Sequence, residues 1–432
     1  MKIGIIGGSG LDNPDILKDY KEIEVETPYG KPSSPITTGK IAGVEVFILA
    51  RHGRKHEITP THINNRANIY ALGKLGCKHI IATSAVGSLK EEIKPGDFVI
   101  LSQLIDFTRH RDITFHDDFE SGIEHVSLAD PFSAELREKL IEACKELAYN
   151  FHDKGTIITI EGPRFSTRAE SNFFRNFADV IGMTTAPEAS LAREAGIDYA
   201  SIAMSTDYDC WKQGEKDVSM AMVLQRMKEN SEKVKKVIIK TIEKFSEETI
   251  FSDNARLIKD SIRTIPHFPK QGVMFRDITT LMKNPEAFKK TIDIFVERYK
   301  GREIDVIAGI ESRGFIFAAI LAEKLNSVFV PVRKPGKLPA ETEKQEYELE
   351  YGKDAVEIHK DAINIGDKVL VVDDLIATSG TMMAACDLIK KLGGEVVECA
   401  VVIELDDLGG RRKLEDNGYS LFSIVKFKEN ES

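Results

Sequence analysis

Short apolar runs alternate with amphipathic stretches along the chain, and this pattern predicts an α/β protein. Apolar runs typical of buried strands lie at residues 2–6, 44–50, 78–83, 98–104, 156–160 and 197–204. Helical spacing of apolar residues lies between them, at 134–149 and 167–177. Strands with two apolar faces are typical of sheets that helices cover on both sides. We therefore predict an α/β fold in the first part of the chain.

A second α/β unit is predicted after a long amphipathic helix at about 219–245, whose apolar residues recur near one face. The polar stretch SEETIFSDNA comes next and is interpreted as a very short linker. Strands of the second unit are predicted at 306–309, 328–332, 368–372 and 395–403. These patterns place one domain at 1–251 and the other at 252–432.

Composition narrows the class of protein. The chain has 432 residues, of which 42% are hydrophobic and 30% charged, as in ordinary globular proteins. Its formal net charge of -10 argues against a nucleic-acid partner and favours small phosphorylated substrates. The first residues, MKIGIIGGSG, are too short and glycine-rich for a secretory signal, and no apolar run approaches a membrane span. With five scattered cysteines, these features predict a cytoplasmic protein without a membrane partner.

Two motifs of the first part suit an anion. In GIIGGSGL, the glycines let backbone N–H groups face a phosphate and Ser9 adds a hydroxyl. A dinucleotide fingerprint is disfavoured because Asn13 stands where its third glycine belongs, while a plain glycine turn stays open. In RHGRKH, Arg51 and His52 can bind phosphate, and a solvated basic loop is the alternative.

Two further motifs suit a purine base. In IEGPRFSTRAES, Phe165 offers a flat apolar face and Ser166 a hydroxyl, although a turn with a helix cap explains the pattern equally. STDYDCW ends an apolar run with Asp207 and Asp209. Two buried carboxylates raise each other's pKa, so one can be protonated near neutral pH and act as a general acid. A solvated acidic turn is the alternative.

Over about residues 2–247 the chain resembles the 5'-methylthioadenosine phosphorylases of the trimeric purine nucleoside phosphorylase superfamily, which implies a mixed sheet with flanking helices. The motifs GGSGL, RHGRKH, TSAVGS, PGDFV, IEGPRFSTRAES, MTTAPEASLAREAGI and TDYDCW stand in the family's order. The resemblance implies a phosphate site made by Ser9, Arg51, His52, Ser84, Ala85 and Thr184. It implies a nucleoside site made by Phe165, Ser166, Met183, Asp207 and Asp209, with Asp207 favouring adenine. The apolar pocket for the methylthio group maps onto Val218, Met220, Val223 and Leu224, and His125 matches a residue given by a neighbouring subunit.

The segment KVLVVDDLIATSGT, at 368–381, is the most specific motif of the chain. An apolar run leads into Asp373 and Asp374, which can accept from two ribose hydroxyls. Small and hydroxyl residues then open a helix, whose N-terminal N–H groups can receive a phosphate. A generic acidic strand end is the alternative.

This motif resembles the type I phosphoribosyltransferases, and adenine phosphoribosyltransferase in particular, over about 255–427. IPHFPKQGVMFRDITTL, GIESRGFIF, RKPGKLPAET and YELEYG support the resemblance. It implies a phosphoribosyl pyrophosphate site made by Arg313, Arg333, Lys334, Lys337, Asp373, Asp374, Ala377, Thr378, Ser379, Gly380 and Thr381. Adenine is expected against Met274, Phe275 and Arg276, largely through backbone groups. Glu350, the candidate proton donor or acceptor, and Tyr351 belong to the expected mobile loop, and Ser379 stands where glycine is common.

The two resemblances together imply a bifunctional adenine-salvage enzyme. The first half is expected to convert methylthioadenosine and phosphate to adenine and 5-methylthioribose 1-phosphate without a cofactor. The second half is expected to convert adenine and phosphoribosyl pyrophosphate to AMP, with Mg2+ held mainly by the substrate's oxygens and no metal site of the protein's own. A homo-oligomer, trimer or hexamer, is implied. The alternatives are an adenosine or inosine phosphorylase joined to another purine transferase, and a non-catalytic phosphoribosyl pyrophosphate sensor.

Overall fold

The computed structural model describes residues 1–7, 16–118, 125–214, 220–349, 352–428 and 431. The chain forms two compact units, Met1–Thr249 and Ile250–Ser432. The fold class predicted from the apolar runs, two α/β units, is confirmed. In the part of the chain described, no helix is both long and apolar enough to cross a bilayer.

The first unit is built on one mixed sheet. Its strands are β1 (Lys2–Gly7), β2 (Lys18–Ile23), β3 (Ile36–Ile41), β4 (Val44–Ala50), β5 (His79–Ser88), β6 (Phe98–Ile100), β7 (Gln103–Phe107), β8 (Phe151–His152), β9 (Thr156–Ile160), β10 (Val180–Gly182) and β11 (Asp198–Asp207). Its helices are α1 (Asn65–Lys74), α2 (Ala134–Glu146), α3 (Arg168–Phe174), α4 (Thr185–Glu194) and α5 (Met220–Asp260).

The sheet follows the order β2-β3-β4-β1-β5-β10-β9-β7, and β11 pairs with β5 and β6. β4, β1, β5 and β11 run parallel, so their carboxyl ends meet at one edge, where sites in α/β sheets form. The run predicted as one strand at 98–104 is two strands. Leu101 donates to Ser201 O and Ser102 to Gly155 O, so the chain changes partner between these residues.

Helix α5 is longer than predicted. It runs from Met220 to Asp260, through the stretch interpreted as a linker. Val234, Ile238 and Phe245 pack in the core of the first unit, whereas Ile258 packs in the core of the second. Apolar packing at both ends therefore outweighs the polar composition of residues 246–255. The boundary after residue 251 stays a prediction.

The second unit has a parallel five-stranded sheet and two hairpins. Its strands are β12 (Arg263–Pro266), β13 (Met274–Asp277), β14 (Val306–Ile310), β15 (Val328–Val332), β16 (Thr342–Leu349), β17 (Gly352–His359), β18 (Lys368–Ile376), β19 (Glu395–Leu405) and β20 (Leu421–Phe427). Its helices are α6 (Thr279–Met282), α7 (Pro285–Tyr299), α8 (Gly314–Leu325), α9 (Gly380–Lys391) and α10 (Gly410–Asp416). The sheet order is β15-β14-β18-β19-β20, with hairpins β12-β13 and β16-β17.

Candidate active sites

A cavity of about 330 Å³ opens at the carboxyl ends of β4, β5 and β11. The predicted phosphate residues that line it are Arg51, His52, Ser84, Ala85 and Thr184. The predicted nucleoside residues that line it are Phe165, Ser166, Met183, Asp207 and Asp209. The fold thus brings together residues from five separate motifs.

The two aspartates of the cavity differ in their surroundings. Asp209 accepts from the Ser166 hydroxyl at 2.8 Å, and its own N–H donates to Asp207 Oδ1 at 2.8 Å. Burial raises the pKa of Asp207, hydrogen bonds from Thr206 and the Asp209 N–H lower it, and the Asp209 charge raises it further. Because burial is the largest of these effects, Asp207 is the carboxyl group of this pair that is suited to hold a proton.

Arg51 is almost completely buried, with 2% of its surface exposed. Its Nη2 lies 2.9 Å from Glu188 Oε2, Nε contacts the other carboxylate oxygen, and Nη1 donates to Thr83 O at 2.8 Å. These contacts fix the guanidinium beside the cavity.

His52 is neutral at physiological pH. Burial and the Arg51 charge lower its pKa from 6.5 to about 4, although its hydrogen bond to Ile58 O acts in the other direction. Nδ1 lies 2.9 Å from that carbonyl and the ring packs on His56, with the ring centres 4.5 Å apart. The structure therefore places a neutral imidazole next to Arg51.

This neutral histidine should make the first unit sensitive to acid. The unfolded chain binds a proton at His52 below about pH 6.5, whereas the folded chain binds it only near pH 4. Stability contributed by the neutral ring is thus present above pH 6.5 and is lost as pH falls towards 4. We expect His52→Gln to reduce the loss between pH 7 and pH 4.5 by about 2 kcal/mol in urea unfolding of this unit. His110→Gln, at an exposed position, is the control; equal losses in both variants would contradict the prediction.

Several predicted residues are not located by this cavity. Ser9 and Val218 lie outside the described residues, as do the side chains of Met220, Val223 and Leu224. His125 is exposed and does not line the cavity.

Further residues contribute to this site that the sequence did not predict. Glu188 and Tyr199 back Arg51, Thr206 donates to Asp207 Oδ2 at 2.6 Å, and Met204 and Met227 add apolar walls. One signal was present for Glu188, since MTTAPEAS places a carboxylate among small, apolar residues, where a buried charge needs a partner.

The second candidate site lies at the carboxyl ends of β14, β15 and β18. Asp374 is buried, and its Oδ2 lies 2.8 Å from Arg313 Nε. Burial raises the pKa of Asp373 and Asp374, and the Arg313 charge opposes that rise. A Cβ at Gly314 would lie 2.9 Å from Asp373 Oδ1, so only glycine allows the start of α8 to approach this strand so closely. The structure therefore brings the predicted ribose-binding acids next to a predicted pyrophosphate-binding arginine.

Glu311 forms ion pairs with two of the cationic side chains that are predicted to bind pyrophosphate. Lys337 Nζ lies 2.6 Å from Glu311 Oε1, and Arg333 Nη2 lies 3.3 Å from the same oxygen. Burial raises the pKa of Glu311, but hydrogen bonds from Lys337, the Lys334 N–H and Arg333 outweigh it and lower the pKa to about 2. Glu311 is therefore ionised and forms ion pairs with both cations.

Lys334 points instead to the β16-β17 hairpin. Its Nζ lies 2.9 Å from the Tyr347 hydroxyl and also contacts Asp354. Thr381 donates to the Tyr347 hydroxyl at 3.1 Å, so the hairpin reaches the start of α9. Glu350 and Tyr351, between the two strands, lie outside the described residues.

The predicted phosphate-binding residues from Ala377 to Thr381 join β18 to α9. Ser379 has φ of 68° and ψ of 2°, a left-handed backbone that favours glycine. This geometry explains physically why glycine suits the position. Its buried hydroxyl makes no hydrogen bond within the part of the chain that the structure describes.

We expect Ser379→Gly to stabilise the second unit. The left-handed conformation costs a non-glycine residue about 1–2 kcal/mol, and the greater freedom of an unfolded glycine cancels part of that gain. A net gain of about 0.5–1 kcal/mol should appear in urea unfolding. Ser420→Gly, also in the second unit, is a control without positive φ. Equal or lower stability of Ser379→Gly would contradict the prediction.

The predicted adenine-binding segment forms β13. Arg276 is buried, and its side chain packs against the end of β20. Its Nη2 donates to Lys428 O at 2.9 Å, and its guanidinium lies 4.4 Å from the Phe427 ring centre. Phe275 lies below Arg313, whose guanidinium carbon is 5.4 Å from the ring centre. Because its side chain is engaged in these contacts, Arg276 can contact a base through its backbone, within Met274–Asp277.

The chain belongs to the phosphorylase superfamily, whose model matches residues 2–243, and its second unit carries a phosphoribosyl transferase domain matched over residues 277–432. Within the superfamily, the first unit is a methylthioadenosine phosphorylase domain. It is 55% identical over 247 residues to S-methyl-5'-thioadenosine phosphorylase of Xenopus tropicalis, covering 56% of this chain and 88% of the relative. The enzyme of the same name from Pyrococcus abyssi is also 55% identical, with coverage of 57% and 94%.

Solved structures agree with this assignment. Methylthioadenosine phosphorylase from Schistosoma mansoni in complex with adenine is 40% identical, with a TM-score of 0.55, and the match covers 57% of this chain and 92% of that one. A point mutant described as adenosine/methylthioadenosine phosphorylase from the same organism, in complex with methylthioadenosine, is 38% identical. Its TM-score is 0.54, with coverage of 60% and 98%.

Proposed function

We propose that this chain is a bifunctional enzyme of adenine salvage. The first unit cleaves 5'-methylthioadenosine with phosphate to adenine and 5-methylthioribose 1-phosphate. The second unit transfers phosphoribose from phosphoribosyl pyrophosphate to adenine, giving AMP and pyrophosphate. The observation that carries the proposal is the cavity that joins Asp207 to the predicted phosphate residues.

In the first reaction, phosphate attacks the anomeric carbon while the bond to adenine breaks. Positive charge develops on the sugar, and a phosphate beside Arg51 and His52 stabilises it. Asp207, with its raised pKa, can protonate N7 of adenine and accept from the 6-amino group. Protonated adenine is the better leaving group.

In the second reaction, Asp373 and Asp374 hold the ribose hydroxyls, and the start of α9 holds the 5'-phosphate. Arg313, Arg333, Lys334 and Lys337 neutralise pyrophosphate. Among the described residues, no three His, Cys, Asp or Glu side chains converge as metal ligands. Mg2+, bound mainly by the substrate's own oxygens, would neutralise charge on the leaving pyrophosphate. Adenine as the acceptor is supported by the adenine-type segment at 265–281 and by release of adenine in the first unit.

A chromatographic product assay tests both reactions. Methylthioadenosine and phosphate are supplied with and without Mg2+ and phosphoribosyl pyrophosphate. Free adenine without the donor, replaced by AMP when the donor is present, supports both activities. Adenine under both conditions would contradict the second activity and favour another base or a non-catalytic sensor. No adenine under either condition would contradict the first.

A second nucleoside is also a candidate. The description of the Schistosoma mansoni protein as an adenosine/methylthioadenosine phosphorylase favours adenosine as an additional substrate. A higher kcat/KM for adenosine than for methylthioadenosine would make adenosine the preferred substrate. Cleavage of inosine would contradict adenine recognition by Asp207.

We further propose a trimer or a hexamer. The position of His125 on the surface, away from the cavity lining, suits a residue that completes a neighbouring copy's site. Light scattering that gives a stable monomer with full activity would contradict this proposal.

A further inference from the structure

Three buried polar side chains form a connected series at the cavity of the first unit. Arg51 lines the cavity, while Glu188 on α4 and Tyr199 on β11 lie behind it. Glu188 Oε2 accepts from Arg51 Nη2 at 2.9 Å and from the Tyr199 hydroxyl at 2.8 Å. Glu188 is 0% exposed and Tyr199 is 2% exposed. Neither lines the cavity, and the Arg51 side chain connects both of them to it.

The guanidinium of Arg51 is held from several sides. Glu188 contacts both Nε and Nη2, which is the two-point geometry that fixes the plane of an arginine. Thr83 O accepts from Nη1 at 2.8 Å, and the Arg51 backbone N–H donates to Gly7 O at 2.9 Å. The pair therefore fixes the orientation of the guanidinium beside the cavity.

Stability alone is a poor explanation for this ion pair. Removing two charges from water costs about as much free energy as their attraction returns, so apolar residues would fill the same space equally well. Burial and the Glu188 charge raise the pKa of Tyr199, so its hydroxyl stays protonated and remains a donor to Glu188. The Tyr199 hydroxyl thus donates to Glu188, and Glu188 in turn holds Arg51 at the cavity.

We propose that Glu188 is a positioning residue for phosphate, holding the Arg51 guanidinium in one orientation while Tyr199 holds Glu188. This inference rests on the proposed phosphorolysis by the first unit. Because Glu188 balances the charge of Arg51, Arg51 acts on phosphate through oriented N–H groups rather than through net charge.

Two variants change the series without changing its size. In Glu188→Gln, an amide NH2 replaces one acceptor and faces an arginine N–H, so the two-point contact is lost. The guanidinium then loses the contact that fixes its plane, and we expect KM for phosphate to rise about 10- to 100-fold. Tyr199→Phe removes one hydrogen bond to Glu188 and should raise the same KM by about 3- to 10-fold. KM for methylthioadenosine should change less than about 3-fold in both.

The second unit offers a matched control. There, Glu398 accepts from the Tyr299 hydroxyl at 2.7 Å and from Arg298 at 2.7 and 2.8 Å. This trio has the same three residue types but belongs to neither candidate site. Glu398→Gln and Tyr299→Phe should lower thermal stability and leave both KM values of the phosphorylase reaction unchanged.

The experiment is steady-state phosphorolysis by the full chain and the four variants, with inorganic phosphate and methylthioadenosine varied separately. A selective rise in KM for phosphate supports the proposal. Unchanged KM values, or values for both substrates that rise in the same proportion, overturn it. If Glu188→Gln does not fold, Tyr199→Phe decides by the same criteria.

A failure of the proposed function gives a different result. If the unmodified chain releases no adenine from methylthioadenosine, the proposed reaction is wrong. Calorimetric titration with inorganic phosphate then tests the positioning role without turnover. Weaker phosphate binding by Tyr199→Phe than by the unmodified chain or Tyr299→Phe supports it, and equal binding overturns it.

Discussion

Asp207→Asn should lower kcat for methylthioadenosine phosphorolysis by about 10²- to 10⁴-fold. The amide keeps the size of the side chain but cannot supply a proton to N7 of adenine, and general acid catalysis contributes an effect of this order. Burial raises the pKa of Asp207, which supports its proposed role as the proton donor. Initial rates at saturating phosphate and nucleoside measure the effect.

The two-unit chain provides an internal control for this variant. Formation of AMP from adenine and phosphoribosyl pyrophosphate by the same Asp207→Asn preparation should be unchanged. Asp97→Asn is a second control, because Asp97 lies outside the cavity and accepts the Lys94 N–H at 2.9 Å. An Asp207→Asn enzyme that keeps more than a tenth of the original kcat would contradict the assignment of the general acid.

Gly410→Ala should raise KM for phosphoribosyl pyrophosphate by about 10- to 100-fold. A Cβ at this position would lie 2.2 Å from Ala377 O, which is far inside contact distance. Ala377 begins the segment that leads into α9, so the overlap must move either that segment or the start of α10. Overpacking of this kind costs about 1–3 kcal/mol, which corresponds to the expected change if the cost is expressed in substrate binding.

A variant at the neighbouring glycine distinguishes the steric effect of this contact from backbone strain. Gly409 has φ of 71°, and a Cβ there would meet nothing within 4 Å. Gly409→Ala should therefore reduce the stability of the second unit by about 1 kcal/mol without changing KM. Both variants are assayed below their melting temperatures. Equal KM values for phosphoribosyl pyrophosphate in the two variants would show that the Ala377 contact has no part in binding this substrate.

The sequence predicted much of the fold because its apolar runs are long and its motifs follow strand ends. Asp207 and Asp373 come directly at the end of such runs, so sheet geometry alone brings them to an edge where ligands bind. The predicted linker was less tractable. Residues 246–255 are polar, yet Ile258 beyond them is 0% exposed in the second core, and this distant packing keeps the helix continuous.

The partners of the site's cations could not be predicted in the same way. Glu188 lies 137 residues from Arg51, and Glu311 lies 22 residues from Arg333. Such pairings depend on how strands are ordered in a sheet, which residue spacing does not encode. Similarly, the left-handed backbone at Ser379 depends on how β18 meets α9. Sequence motifs therefore indicated which side chains could bind anions, whereas the carboxylates that hold those side chains required the three-dimensional structure.

Under the proposed reaction, the ion pairs of Glu311 make substrate binding at the second site an exchange of one anion for another. The Glu311 carboxylate contacts both Arg333 and Lys337, so a diphosphate that binds to these cations must displace it. The loss of the Glu311 contacts offsets part of the attraction between these cations and the incoming anion. Binding is therefore weaker, but it is more selective for an anion that reaches several cations at once. When the diphosphate departs, Glu311 can return to the same cations. Under the proposed reaction, this exchange would keep the site from being trapped by its own product.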